Sequence, residues 1–190
     1  MTSTVSLLAP AKVNLTLEIQ KKEKDGFHSL ESVFLAVSLY DRILISTTAS
    51  TKIKLSGDMR QERGDEPNII LKAAWTLKKR TRTEKGAKIQ LQKKIPIGSG
   101  LGGGSSDAAA TLVGLIELWG LDDKDFLGRH LAPAIGSDVL FFINGGCALV
   151  RGRGEKVIPV SRLPDCNIVL AYPRMVIATW WAYNIVDRRK

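Results

Sequence analysis

The residues best suited to chemistry form one stretch, Lys93-Lys94-Ile95-Pro96-Ile97-Gly98-Ser99-Gly100-Leu101-Gly102-Gly103-Gly104-Ser105-Ser106-Asp107, with five glycines in the seven residues from Gly98 to Gly104. Glycines this dense let a backbone approach another object closely and adopt positive φ. A strand-like alternation precedes them and a strongly apolar, helix-like run follows. A helix starting just after such a loop turns its free N–H groups back into it, which makes a phosphate site. A second pair of polar residues, Lys12 and Asn14, falls on one face of an alternating segment that sets Val13, Leu15, Leu17 and Ile19 on the other.

Three readings compete for the loop. A P-loop needs a Gly, four residues, then Gly-Lys-Ser/Thr; Gly98 and Gly103 have that spacing, but Gly104 stands where the lysine must be, so that reading fails. The dinucleotide pattern Gly-x-Gly-x-x-Gly is met by Gly98, Gly100 and Gly103, with Asp123 about 20 residues on. That acid should end a strand, however, and Asp123 sits at a helix start; Pro96 and the lack of an N-terminal βαβ unit also count against it. A flexible linker is a poor reading, because a linker rarely feeds a buried helix.

The elements that must position these residues are mixed. After the Lys12 segment, Gln20 to Asp25 is charged and turn-like. Ser32–Leu39 and Ile43–Ser46 read as two strands broken at Tyr40-Asp41, and Lys52–Leu55 as a short strand ended by Gly57. Met59 to Glu66 is loop-like. Pro67 suits a first helical turn, and Ile70, Ala73, Ala74 and Leu77 carry a helix to about Arg80. Ala87, Ile89 and Leu91 alternate with Lys88, Gln90 and Gln92. Ser105 or Ser106 can cap the next helix, which Ala108, Ala109, Leu112, Val113, Leu115, Ile116 and Trp119 carry to Gly120. A short helix is expected from Leu121 to about Leu131, then a loop or helix entry from Pro133 to Asp138. An apolar turn or short helix follows at Val139–Ile143, then strands at Cys147–Arg151, Lys156–Val160 and Asn167–Ala171. Mixed blocks without strict alternation favour an α+β sandwich over a doubly wound sheet.

The composition is that of a globular chain, 44% hydrophobic and 25% charged, with no apolar run near a membrane span and no secretory signal pattern at the N-terminus. Cys147 and Cys166 are expected as reduced thiols in a cytoplasm. The net charge of +9 is concentrated between Lys72 and Lys94, a run that either attracts an anion or is a solvated face.

The segment Pro96-Ile97-Gly98-Ser99-Gly100-Leu101-Gly102-Gly103-Gly104-Ser105-Ser106-Asp107-Ala108-Ala109 resembles the ATP loop of the GHMP kinases. Within that superfamily the chain resembles the branch acting on 4-diphosphocytidyl-2-C-methyl-D-erythritol in the non-mevalonate isoprenoid pathway. Pro10-Ala11-Lys12-Val13-Asn14-Leu15, Asp25-Gly26-Phe27-His28, Pro67-Asn68-Ile69-Ile70, Gly136-Ser137-Asp138-Val139 and Thr179-Trp180-Trp181-Ala182-Tyr183 carry the likeness. It implies a GHMP kinase fold: an N-terminal α/β sandwich related to ribosomal S5 domain 2 (residues 1–163), and only the beginning of a C-terminal domain (residues 164–190). The family runs on through a second domain, whereas this chain stops at Lys190.

The resemblance also implies roles. ATP would lie on Pro96, Ile97, Gly98, Ser99, Gly100, Leu101, Gly102, Gly103, Gly104, Ser105 and Ser106, with Asn68 and Ile69 on the adenine side. Asp138 would be the general base and Lys12 its partner. Phe27 and Tyr183 would sandwich a cytosine, His28 would read its edge, and Asn14 and Thr179 would contact substrate. Mg²⁺ is implied, with Ser106 as a candidate ligand and no dedicated carboxylate. The partner implied is a small molecule carrying a cytidine diphosphate, with no nucleic acid and no membrane. Alone, Asp138 reads as a helix cap, Lys12 as a surface lysine, and Phe27, His28 and Tyr183 as packing residues; their joint occurrence with the loop reverses this. Other GHMP kinases, an ATP-binding module without turnover and a basic nucleic-acid binder are the alternatives.

Overall fold

One long strand organises the fold. In the computed structural model, which describes residues 3–22, 28–58, 68–122, 124–160, 166–173 and 185, strand β3 runs unbroken through His28–Thr48. It pairs antiparallel with β1 (Thr4–Asn14) and β2 (Glu18–Lys22) along one edge. Its other edge is shared between β5 (Gly86–Gln92) near its C-terminal end and β6 (Cys147–Gly152) near its N-terminal end. Beyond these lie β4 (Ile53–Gly57), parallel to β5, and β7 (Lys156–Pro159), antiparallel to β6, giving a seven-stranded sheet among the described residues.

The break expected at Tyr40-Asp41 is therefore absent. The irregularity lies in β3 just before that dipeptide: consecutive Pro10 and Ala11 pair with Tyr40 and Val37, so Ser38 and Leu39 bulge out of register with β1. Asp41 stays in the strand because its buried carboxylate accepts hydrogen bonds from Lys94 N (2.6 Å) and Ile95 N (2.9 Å). Paired this way, a carboxylate can remain inside a sheet.

Four helices are described: α1 (Ile69–Thr81), α2 (Gly103–Trp119), α3 (Lys124–Ile135) and α4 (Val139–Asn144). Ile70, Ala73, Ala74 and Leu77 of α1 pack with the small and branched residues of α2 and with Ile43, Ile45, Ala87, Ile89 and Leu91 of the sheet. The strictest alternation in the sequence, in β5, thus marks the core face. Helix α2 lies close on the sheet at Gly114, where a Cβ would stand 2.7 Å from Ile45 Cδ1 and 2.8 Å from Leu7 Cδ1. Helices on one face of a largely antiparallel sheet are the α+β arrangement expected from the sequence.

Several local expectations are corrected. Strand β1 begins at Thr4 and ends at Asn14, and the stripe beyond it is not core: Leu15 and Leu17 are 46% and 54% exposed. The chain turns there, with Leu15 N donating to Val33 O at 2.8 Å and Val33 N to Thr16 Oγ1 at 3.0 Å. Helix α2 starts at Gly103, and its cap is Gly102 in the left-handed region with no side-chain bond, so neither Ser105 nor Ser106 caps it. Val113 faces solvent. Helix α3 continues through Pro133 to Ile135, past the end expected near Leu131 and into the segment expected as a loop or helix entry, and it starts at Lys124 rather than Leu121. Residues 166–173 form no strand: no described strand pairs with them, and Val169 is 93% exposed. The expectations at Phe27, residues 59–67, Asp123, Thr179, Trp180, Trp181 and Tyr183 lie outside the described residues.

Candidate active site

The glycine loop closes a cavity of about 440 Å³ between β5, α1 and the start of α2. Pro96 to Ser105 line one side of it, and Asn68, Ile69, Ile70 and Lys72 the other. Gly98, Gly100 and Gly102 have φ of 71°, 77° and 72°, so the loop depends on residues without a Cβ. Gly102 is the most constrained: a Cβ there would stand 2.9 Å from Phe142 Cζ and 3.1 Å from Lys12 Cγ. The N-terminal amides of the 17-residue α2 open towards this loop, a favourable end for anions. Gly102→Ala is expected to cost about 1–3 kcal/mol and to weaken nucleotide binding, measurable by urea unfolding and by calorimetry.

Asn68 does not point its amide freely into the cavity: its Oδ1 accepts from Ile70 N at 2.9 Å and caps α1. Ser106, 1% exposed, is buried at the first turn of α2, and its Oγ has no protein partner. From the segment 166–173, the Tyr172 hydroxyl donates to Ile97 O at 3.4 Å.

A buried ion cluster that sequence reading missed lies against the loop. Lys93 Nζ donates to Asp41 Oδ2 at 2.5 Å and to Asp107 Oδ2 at 2.8 Å. One ammonium thus joins strand β3 to the first turn of α2, while Asp41 Oδ1 holds the amides that enter the loop. Burial would push Lys93 down, but the two carboxylates prevail and hold it above its ordinary range. Burial pushes Asp107 from 3.8 up to about 7; the Asp41 carboxylate adds to the rise and Lys93 opposes it. One cation does not fully compensate two buried acids. The native state therefore keeps a proton on Asp107 that the unfolded chain has lost between pH 3.8 and about 7. Asp107's contribution to stability should fall as pH rises through that window and level off above it. Asp107→Asn, compared with the parent chain by urea unfolding at pH 5 and pH 7.5, is expected to lose this pH dependence. The only sequence signal for the cluster was an aspartate inside an otherwise strand-like run.

Three other lysines of the basic run serve the fold. Lys72 Nζ donates to Ile135 O at 2.9 Å, Lys78 Nζ to Lys85 O at 3.3 Å and to Thr51 O, and Lys85 Nζ to Trp119 O at the end of α2. Cations on helix-end carbonyls are stabilising. Among the cavity's lining residues, Lys72 and Lys93 are the cations.

On the other side of Gly102 stands the Lys12–Asp138 pair. Lys12 N donates to Leu101 O at 2.9 Å, tying the end of β1 to the loop. Lys12 is 7% exposed, so the surface-lysine reading is excluded. Its Nζ lies 3.8 Å from Asp138 Oδ2 and 4.5 Å from the centre of the Phe34 ring, and it donates to Asn14 Oδ1 at 2.6 Å. Burial pushes Lys12 below its ordinary range, against the opposing pull of Asp138. Asp138 occupies the N-cap position of α4, yet its side chain makes no cap bond; Ser137 Oγ donates to its Oδ1 at 3.3 Å. The carboxylate is thus aimed at Lys12 rather than at its helix.

The sequence's expected site residues are brought together only in part. Lys12, Asn14 and Asp138 cluster beside the loop, and Asn68 and Ile69 line its cavity. His28 opens β3, half-buried, on the same parity as Ser32 and Phe34. Phe27, Thr179 and Tyr183 lie outside the described residues. No group of three or more His, Cys, Asp or Glu among the described residues is placed to hold a metal. Nor is any described helix long and apolar enough to cross a membrane.

The family model for the GHMP kinases N terminal domain matches residues 68–146, which hold α1, the glycine loop, α2 and the Asp138 turn. Over 176 residues, 93% of this chain, the chain is 41% identical to a 4-diphosphocytidyl-2-C-methyl-D-erythritol kinase of Bacillus subtilis. Residues 68–146 thus match a GHMP kinases N terminal domain. A second such kinase, from Exiguobacterium sibiricum, is 41% identical over 97% of the chain. The crystal structure of a 4-(cytidine 5'-diphospho)-2C-methyl-D-erythritol kinase superposes with a TM-score of 0.72 at 38% identity, covering 84% of this chain and 56% of that one. The chain spans about three fifths of the curated relatives, 61% of the first and 64% of the second.

Proposed function

We propose that this chain carries the ATP-binding half of a kinase that phosphorylates the 2-hydroxyl of 4-diphosphocytidyl-2-C-methyl-D-erythritol, a step of isoprenoid precursor synthesis in the cytoplasm. The observation that carries the reading is the Lys12–Asp138 pair, 3.8 Å apart beside Gly102. Relatives of that name at 41% identity support the choice of substrate. In this reading residues 1–163 form the nucleotide domain and residues 164–190 begin the next one.

Phosphoryl transfer asks a protein chiefly for positioning and charge stabilisation. The loop from Pro96 to Ser106 holds the triphosphate, and Asn68 and Ile69 flank the base. Asp138 takes the proton of the acceptor hydroxyl as that oxygen bonds to the γ-phosphorus and ADP leaves. The Lys12 ammonium, in a poorly solvated position, balances charge on the acceptor oxygen and the moving phosphoryl. The orphaned, buried Ser106 Oγ is an oxygen that fits a hard cation. Mg²⁺, when bound, would neutralise phosphate charge, held mainly by the phosphates and by Ser106. Phe27 and Tyr183 stack on the cytosine, His28 reads its edge, and Asn14 and Thr179 complete the substrate side. The partner is this small molecule, not nucleic acid or a membrane.

Calorimetry with ATP and with a cytidine diphosphate ligand, against mevalonate and homoserine, tests the reading, with turnover measured in the presence of Mg²⁺. Binding of ATP and a preference for the cytidine ligand are expected. No such preference would sink the substrate assignment.

A further inference from the structure

Resting on the reading of Lys12 as a catalytic residue, we propose that Ser32 is a positioning residue that fixes the Lys12 ammonium through Asn14. Ser32 is completely buried, its backbone set in β3 opposite Val150 of β6. A buried serine in a sheet needs partners for its hydroxyl, and these partners run towards the site. The hydroxyl has one proton to give, and it donates to the carbonyl of Thr16. Its lone pair then accepts from Asn14 Nδ2 at 2.8 Å.

That assignment sets the Asn14 amide. A carbonyl only accepts, so Ser32 must donate to Thr16, and Asn14 must donate to Ser32. With its nitrogen committed, Asn14 turns Oδ1 to the other side, where Lys12 Nζ donates to it at 2.6 Å. The opposite amide orientation would press an NH₂ group against an ammonium and leave Ser32 without a donor. Every bond in the series therefore runs the same way, from Lys12 to Asn14 to Ser32 to Thr16. A short charge-assisted bond of this kind holds geometry better than a neutral one, and bonds aligned in series strengthen one another.

The other neighbours of Lys12 leave it free to swing. The Asp138 carboxylate is 3.8 Å away and the Phe34 ring centre 4.5 Å, distances that attract an ammonium without defining its direction. The Asn14 oxygen is the directional contact, and Ser32 decides that it is an oxygen. The turn at Leu15–Leu17, which breaks the expected strand, brings the Thr16 carbonyl to Ser32. The departure from regular β-structure is thus what completes the series.

The test uses the 190-residue chain as Ser32→Ala, Ser32→Thr and Asn14→Leu, with circular dichroism confirming the fold. Two quantities are read: the kcat and KM for ATP, and the ¹³C NMR titration of the Lys12 side chain without ligand. Ser32→Ala should lower kcat about tenfold with KM for ATP unchanged. It should also move the Lys12 titration to lower pH, because an acceptor for the charged form is no longer fixed. Ser32→Thr should restore both, and Asn14→Leu should move the titration as far as Ser32→Ala does. An unchanged Lys12 titration in Ser32→Ala overturns the proposal, even if turnover falls. If Ser32→Ala does not fold, an unchanged titration in Asn14→Leu overturns it equally. Binding of ATP and of the cytidine ligand decides the kinase reading separately, and the Lys12 titration decides the role of Ser32 whether or not the parent chain turns over.

Discussion

Lys93→Met should unfold in urea with a loss of about 3–5 kcal/mol. Lys93 is the single ammonium between two buried carboxylates, Asp41 Oδ2 at 2.5 Å and Asp107 Oδ2 at 2.8 Å. Removing it strands both acids where water does not reach. A domain is stable by only about 5–15 kcal/mol, so the variant would sit near the edge of folding. Much of the loss would come from the stranded charges rather than from the missing pair. Lys93→Met combined with Asp107→Asn should therefore recover part of the stability lost by Lys93→Met alone. If the double variant is the less stable of the two, the argument from uncompensated charge is wrong.

Asp138→Asn is expected to lower kcat by about 10²–10⁴-fold while leaving ATP affinity and stability close to those of the parent chain. The carboxylate is a quarter exposed, makes no cap bond to α4 and faces Lys12, so the fold asks little of its charge. Asparagine keeps its shape but takes no proton. Single-turnover kinetics beside calorimetry would separate the two effects. A wild-type rate in Asp138→Asn would remove it from the role of base.

The helices and core strands were legible where one physical rule acted alone. In β5, alternation and burial coincide, and Ala87, Ile89 and Leu91 are all core. In α2, the apolar run and the stop at Gly120 give the helix, with Gly120 at φ 63° as its cap. Legibility failed where a long-range contact overrode the local pattern. Asp41 looked like a break because an acid in a strand is costly; its partners Lys93, Lys94 and Ile95 lie over 50 residues on. Leu15 and Leu17 kept the alternation but not the strand, because the chain turns to meet Val33. The glycine loop was recognisable from its own residues. Lys12 and Asp138 needed a family likeness to stand out, because their meeting spans most of the chain and neither has a local signature.

Strand β3 also sets the order in which the molecule can come together. Its partners β1 and β2 lie just before it, so that half of the sheet is assembled from neighbours in the chain. Its other edge waits for β5 and β6, and the Glu31–Arg151 pair closes a separation of 120 residues. Contacts this distant cost loop-closure entropy before they repay it, and they slow folding. Asp41 finds Lys93 through the nearer closure and Lys12 finds Asp138 through the farther one. Emerging from the ribosome, the chain thus completes its glycine-loop cavity before its Lys12–Asp138 pair, and the edge of β3 that awaits β6 is the surface most exposed to mispairing in between.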